Sequence, residues 1–141
     1  MYKTILVPLE NSSADDAILE HVKMLARATD ARLVLIHVAD GHVARNQAQL
    51  NLADSQEISE DRNYLQKRAG ELAAEGLNAG YLLACGDPAD EILAAAERER
   101  CDLIAMATHG HRFVKDVLLG SVANSVRHRT HIPVLLVRSP N

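Results

Sequence analysis

The 141-residue sequence predicts an α/β domain: a doubly wound, five-stranded parallel sheet with helices on both faces. Three observations lead there. Short leucine-rich or β-branched runs alternate along the chain with longer stretches of helical periodicity, the signature of strand–helix–strand units. Runs such as Arg32–Val38 (RLVLIHV) are nearly continuous in apolar residues, as strands covered on both faces are. Hydrophobic residues make up 48% of the chain and charged residues 24%, enough to bury a sizeable core and too apolar for disorder. The length suits a single domain over residues 1–141, and no linker, repeat or low-complexity tract divides it.

Each element has its own local reason. Tyr2–Pro8 reads as the first strand. Ser12, Ser13, Ala14, Asp15 and Asp16 then mark a helix start, with Ser13 and Asp16 spaced as a capping box. Ile18, Val22, Leu25 and Ala26 follow as one stripe that ends near Thr29. Arg32–Val38 is the second strand. Residues from Ala39 to about Ala53 are polar and weakly periodic, and predict a mobile loop. A long helix begins near Asp54, carries Ile58, Leu65, Ala69 and Leu72 inward, and stops at Gly76. Ala79–Ala84 is the third strand. Asp87 follows as N-cap of the next helix, with Pro88 at its first position and Asp90 in its first turn. That helix turns Ile92, Leu93 and Ala96 inward. Leu103–Ala107 is the fourth strand. A loop from Thr108 to Leu119 leads to Gly120-Ser121 and a short helix with Val122 and Val126 on one face. Pro133–Val137 is the fifth strand, and Arg138–Asn141 a tail.

Composition excludes several classes of function. Fifteen Lys and Arg against nineteen Asp and Glu leave a net charge of −4, the wrong sign for sequence-independent nucleic-acid binding. Aromatic residues are 3%, with no Trp and a single Phe, so no platform for base stacking is expected. No apolar run approaches the roughly 20 residues that span a bilayer. The N-terminal apolar stretch is interrupted at Glu10 and is too short for a signal peptide. Cys85 and Cys101 form no CxxC pair and read as reduced thiols, which points to the cytoplasm.

In doubly wound sheets, ligands bind beyond the carboxyl ends of the strands, where strand order reverses. Those ends carry Pro8-Leu9-Glu10, Val38-Ala39-Asp40, Gly86-Asp87 and Ala107-Thr108-His109-Gly110. The most informative segment runs from Ala107 to Ser121. Gly110 follows a strand and Gly120-Ser121 stands before a helix. Glycines admit close approach of backbone N–H groups to an anion, and the positive end of a helix dipole favours phosphate there. Ser121 adds a hydroxyl donor. On these residues alone, a phosphate cradle and a pair of loop-closing glycines with a serine N-cap both remain open.

The arrangement resembles the universal stress protein family, whose nucleotide-binding branch carries G-x2-G-x9-G-[S/T]. Gly110 matches the second glycine, nine residues follow, and Gly120-Ser121 match the end; Ala107 replaces the first glycine. Ile5-Leu6-Val7-Pro8, Leu35-Ile36-His37-Val38, Gly86-Asp87-Pro88 with Ile92, and Pro133–Val137 are similar to the family's strands and turns, so the likeness covers the whole chain. Glu10 stands where the family usually has Asp. The resemblance implies a Rossmann-like fold of strand order 3-2-1-4-5. It implies ATP, or AMP or ADP, as ligand, with Mg as an optional companion. Val38 would offer its backbone to the adenine edge. Glu10, or the backbone around Pro8 and Leu9, would lie near the ribose or a metal-bound phosphate. Ala107 would approach the ribose and phosphates, and Gly110, Gly120, Ser121 and the amide of Val122 would hold the phosphates.

His109, His111, Arg112 and Lys115 form a cationic cluster beside this loop, which either complements phosphate charge or is a solvated surface. Neither histidine pair, His109 with His111 or His128 with His131, has the partners of a structural zinc site. His37, inside an apolar strand, reads as a satisfied histidine at the edge of the core. No G-x-S-x-G elbow and no Walker loop are present, so binding rather than turnover is expected. The function implied is a cytoplasmic stress-response protein that senses or regulates through a bound adenine nucleotide, with an unidentified regulatory protein as partner. The alternative is a dimeric interaction scaffold that binds no nucleotide. In either case the family resemblance implies a homodimer through the fifth strand, Val134, Leu135, Leu136 and Val137, which would cover an apolar sheet edge.

Overall fold

A computed structural model describes residues 1–40, 52–109 and 117–139. The elements in chain order are β1 (Thr4–Pro8), α1 (Ala14–Thr29), β2 (Arg32–Asp40), α2 (Leu52–Ala74), β3 (Ala79–Gly86), α3 (Pro88–Arg98), β4 (Leu103–His109), α4 (Val117–Arg129) and β5 (Val134–Ser139). The strands form one sheet in the order β3-β2-β1-β4-β5, with every pairing parallel. This is the doubly wound architecture expected, with strand order reversing between β1 and β4.

Period-two alternation divides the core into two layers. Ile5, Val7, Leu33, Leu35, Leu103 and Ala105 face α1 and α2, where Ile18, Val22, Leu65 and Leu72 meet them. Leu6, Val34, Ile36, Ile104 and Met106 face α3 and α4, where Ile92, Ala96 and Val126 meet them. Both faces are covered, which explains why these strands read as unbroken apolar runs.

Several boundaries differ from expectation. β2, β3 and β4 run further at their carboxyl ends, because β2 and β3 stay in register to Asp40↔Gly86 and β4 and β5 to His109↔Ser139. The long helix starts at Leu52. The predicted loop of Ala39 to Ala53 falls mostly on residues 41–51, outside the described residues. The helix after β4 begins at Val117, so Gly120 and Ser121 lie inside it. Leu118 and Leu119 are good helix formers, and the helix is under way before the glycine.

Asp87 caps α3 as expected, its side chain accepting from the Asp90 N–H at 3.0 Å. The capping box at α1 does not form: Ser13 is helical and caps with its backbone alone. Asp16 pairs with Arg68 instead, at 3.2 Å. Gly76, at φ +86°, closes α2. Gly86, at φ +141°, ends β3, and a Cβ there would meet Glu91 at 3.1 Å; only glycine suits the turn into α3.

Candidate functional site

The cleft begins where β1 stops. Pairing of β1 with β2 ends at Pro8↔Ile36. The Arg32 N–H donates to the Lys3 carbonyl at 2.8 Å, and the Ile36 carbonyl accepts from Leu9 N–H at 2.7 Å. Alternate residues of β2 therefore turn their peptide groups toward β1, while Leu33 between them donates toward β3, to the Asn78 carbonyl. Val38 is next in the series that faces β1, two residues past the last paired position. Its N–H and C=O are aimed at the space that β1 has vacated.

That space is a small apolar pocket of about 60 Å³, lined by Pro8, Leu9, Glu10, Asp15, Ile36, Val38, Ile92, Met106, Ala107 and Val122. It lies between the ends of β1 and β4, at the reversal of strand order. Beside it is an open groove of about 530 Å³, lined by Thr108, Gly120, Ser121, Ala123, Asn124 and Leu136. Ala107 with Val122 lines the first and Thr108 with Ser121 the second, so consecutive residues of β4 and α4 separate the two. The groove alone falls in the range of about 300–1,000 Å³ usual for ligand sites.

The fold thus gathers Pro8, Leu9, Glu10, Val38, Ala107 and Val122 around one pocket and Gly120 and Ser121 around the adjoining groove. His109 ends β4. Gly110 and the expected cationic residues His111, Arg112 and Lys115 lie outside the described residues. Ala107 is 4% exposed, its methyl group packed into the layer that faces α1. Gly120 is not in a left-handed conformation, and among the described residues a Cβ there would meet nothing within 4 Å. Its value to the groove is empty space rather than a special backbone angle. The helical ladder engages amides from about the fifth helical residue onward, so the free amides of the first turn belong mainly to residues before Gly120.

Asp15, Ile36, Ile92 and Met106 were not among the expected site residues. Asp15 is the most consequential. It is 1% exposed, and its carboxylate accepts from the backbone N–H groups of Glu10 (3.0 Å), Asn11 (2.9 Å) and Ser12 (3.3 Å), and from the Tyr64 hydroxyl. Burial pushes its carboxyl above the usual value of 3.8, and the hydrogen bonds from Tyr64 and the three amides offset only part of that. Burial together with the Asp15 charge drives the Tyr64 hydroxyl up as well. The sequence carried a signal for Asp15: an acid three residues before Ile18 and four before Leu19, on the inward stripe of α1. Glu10, by contrast, accepts from the Ser12 hydroxyl at 2.6 Å. His37 donates from Nδ1 to the Leu9 carbonyl at 2.8 Å, and its Nε2 lies 3.4 Å from Asp61. Among the described residues, no group of three or more His, Cys, Asp or Glu is placed to hold a metal ion, and no helix is long and apolar enough to cross a membrane.

The sequence profile of the universal stress protein family matches residues 1–138. Universal stress protein MJ0577 of Methanocaldococcus jannaschii is 31% identical over 158 residues, spanning 100% of this chain and 98% of its own length. A solved structure of MJ0577 superposes with a TM-score of 0.86 at 32% identity, over 100% of this chain and 99% of that one. A universal stress protein solved in complex with cAMP gives a TM-score of 0.69 at 22% identity, over 99% and 98% of the two chains. One from Archaeoglobus fulgidus, in complex with dAMP, gives 0.72 at 20%, over 96% and 98%. At these last two identities the likeness is one of fold.

Proposed function

The chain belongs to the universal stress protein family, and from that premise we propose that it binds ATP or a related adenine nucleotide, ADP or AMP included, as a sensor or regulator rather than as an enzyme. The observation that carries this reading is the apolar pocket at the reversal of strand order together with the groove between β4, α4 and β5 beside it. The pocket offers apolar walls and the outward-turned backbone of Val38 to a flat ring with a hydrogen-bonding edge. The groove offers the bare Cα of Gly120 and the Ser121 hydroxyl to an anion. The residues fit the ligand in kind: the side chains of the inner pocket are apolar except for two carboxylates, which repel phosphate and direct it outward to the groove. Mg²⁺, where it accompanies ATP, is carried largely by the phosphates. Complexes of related folds with cAMP and dAMP are consistent with an adenine nucleotide here.

Turnover is outside this reading because the sequence carries neither a G-x-S-x-G elbow nor a Walker loop; phosphate release belongs well below the common enzymatic range of about 1 to 1,000 per second. Cys85 and Cys101 are free thiols, in keeping with action in a reducing cytoplasm.

We further propose a homodimer through β5. This strand is a sheet edge, and Leu136 on it is 40% exposed, so pairing with a second copy would cover an apolar edge that would otherwise invite uncontrolled association. The same observation supports the second reading, a dimeric scaffold with a regulatory protein partner. Nucleotide released by denaturing freshly purified protein, identified by mass and ultraviolet absorbance, tests the first reading, together with calorimetric titration of ATP, ADP, AMP and cAMP. Uptake of at least one is expected; no uptake of any would leave the scaffold.

A further inference from the structure

We infer that Tyr64 of α2, acting through the buried carboxylate of Asp15, is a positioning residue for the wall of the cleft; for its ligand this rests on the nucleotide reading above. Three consecutive amides, those of Glu10, Asn11 and Ser12, converge on Asp15. They hold a turn in which Asn11 adopts φ 62°, a conformation that a non-glycine residue seldom takes unless its surroundings enforce it. The same turn carries Leu9 and Glu10 into the pocket.

The hold does not come from α1 alone. Tyr64 donates its hydroxyl to Asp15 Oδ2, and Arg68, one turn on, reaches Asp16 at 3.2 Å and the Tyr64 hydroxyl at 3.3 Å. Asp61, three residues before Tyr64, accepts from the Asn11 side-chain amide at 3.1 Å and faces His37. Spacings of three and four residues put Asp61, Tyr64 and Arg68 on one face of α2, and that face grips the turn at successive points. Tyr64 itself is not part of the pocket lining. Any effect it has on a ligand passes through Asp15 and the turn. By reciprocity, an occupied pocket stiffens the grip of α2 on the turn.

The test compares wild type with Tyr64→Phe, which keeps the ring and removes the donor. Leu72→Val serves as a control: it lowers thermal stability from the far end of the same helix, where Leu72 is buried in the core. ATP with magnesium is titrated into each full-length protein, and amide hydrogen exchange is followed at Glu10, Asn11 and Ser12. Tyr64→Phe is expected to weaken ATP binding about fivefold or more and to speed exchange at those three amides, with neither change in Leu72→Val. Unchanged affinity, an equal loss in the control, or weaker affinity with unchanged exchange would each overturn the inference. If wild type takes up no ATP, the titration is repeated with ADP, AMP and cAMP under the same expectations; if it takes up none of them, the nucleotide reading fails, and exchange alone decides. Faster exchange at the three amides in Tyr64→Phe only then supports positioning by Tyr64, and unchanged exchange rejects it.

Discussion

The two flanks of the cleft are built on opposite principles. On the β1 side, a turn of ordinary residues is held by a buried carboxylate, a phenol and an ion pair reaching across from α2. On the β4 side, the groove is lined by small or polar residues and by Leu136 of β5, with Gly120, Ser121 and Asn124 exposed. The first flank has its polar groups already committed to one another, so its shape is set before any ligand arrives. The second has space and an exposed serine. A cleft of this kind selects at its rigid end and accommodates at its open end, which matches a ligand with a constant ring and a variable anionic tail.

Removing Asp15 should produce the largest effect and would break the comparison if it did not. Asp15→Ala leaves three backbone donors and a phenol without their acceptor in a part-buried turn. A loss of about 3 kcal/mol in urea unfolding is expected, and a loss below about 1 kcal/mol would mean the turn does not depend on this anchor. Next come two neighbours on β5. Leu135 packs against the layer of α1 and α2, whereas Leu136 lies at the rim of the groove, 40% exposed. Leu135→Asp should cost about 2 kcal/mol or more by burying a charge. Leu136→Asp should cost under about 0.5 kcal/mol and turn a sedimenting dimer into monomer. A wild type that sediments as monomer at micromolar concentration removes the dimer.

On the open flank, Gly120→Val puts a side chain into the groove, where an added Cβ meets no described residue within 4 Å. Affinity for ATP should fall at least tenfold, about 1.4 kcal/mol, with the melting temperature little changed. An unchanged dissociation constant would remove phosphate from this groove. Ala107→Gly, on the boundary between the flanks, should cost about 0.5–1 kcal/mol of stability through strand entropy and preserve or tighten binding. Marked weakening would mean the methyl group is part of the ligand contact.

The smallest effect is one of pH. Because burial raises the Asp15 carboxyl above 3.8, the folded state holds this proton more tightly than the unfolded chain. Its contribution to stability is full below 3.8, declines as pH rises through the elevated value, and is constant above it. Asp102 runs the other way. Burial alone would raise it, but the N–H groups of Lys3 and Thr4 outweigh burial and hold it below its usual value. Its contribution is full above 3.8 and is lost as pH falls through the lowered value. Subtracting the acid-range stability profile of Asp15→Asn from that of wild type should isolate the first slope, and a flat difference would contradict it.

The pocket residues on strand ends and on the turn after β1 were legible because strand ends are where a doubly wound sheet must place a ligand. Pro8, Leu9, Val38 and Ala107 could be named without coordinates for that reason. Ile36, Ile92 and Met106 were not, because an inward apolar residue has the same local signature whether it fills a core or lines a pocket. Asp15 looked like part of a helix cap, since Ser13 and Asp16 have the spacing of a capping box. The box does not form because Ser13 is already helical and its carbonyl takes the Asp16 N–H, while Asp15 serves a different set of donors, the amides of Glu10, Asn11 and Ser12.

By itself, the sequence determined the five strands, the helices between them and the coverage of both sheet faces. Those follow from periodicities of two and 3.6 residues, which are local properties of a chain. Only the tertiary structure decided that α2 braces the turn after β1, that Leu135 turns inward while Leu136 faces out, and that Gly120 stands within a helix rather than before it. Tyr64 and Asp15 are 49 residues apart. Their contact depends on how two helices dock on one face of the sheet, which neither segment encodes alone.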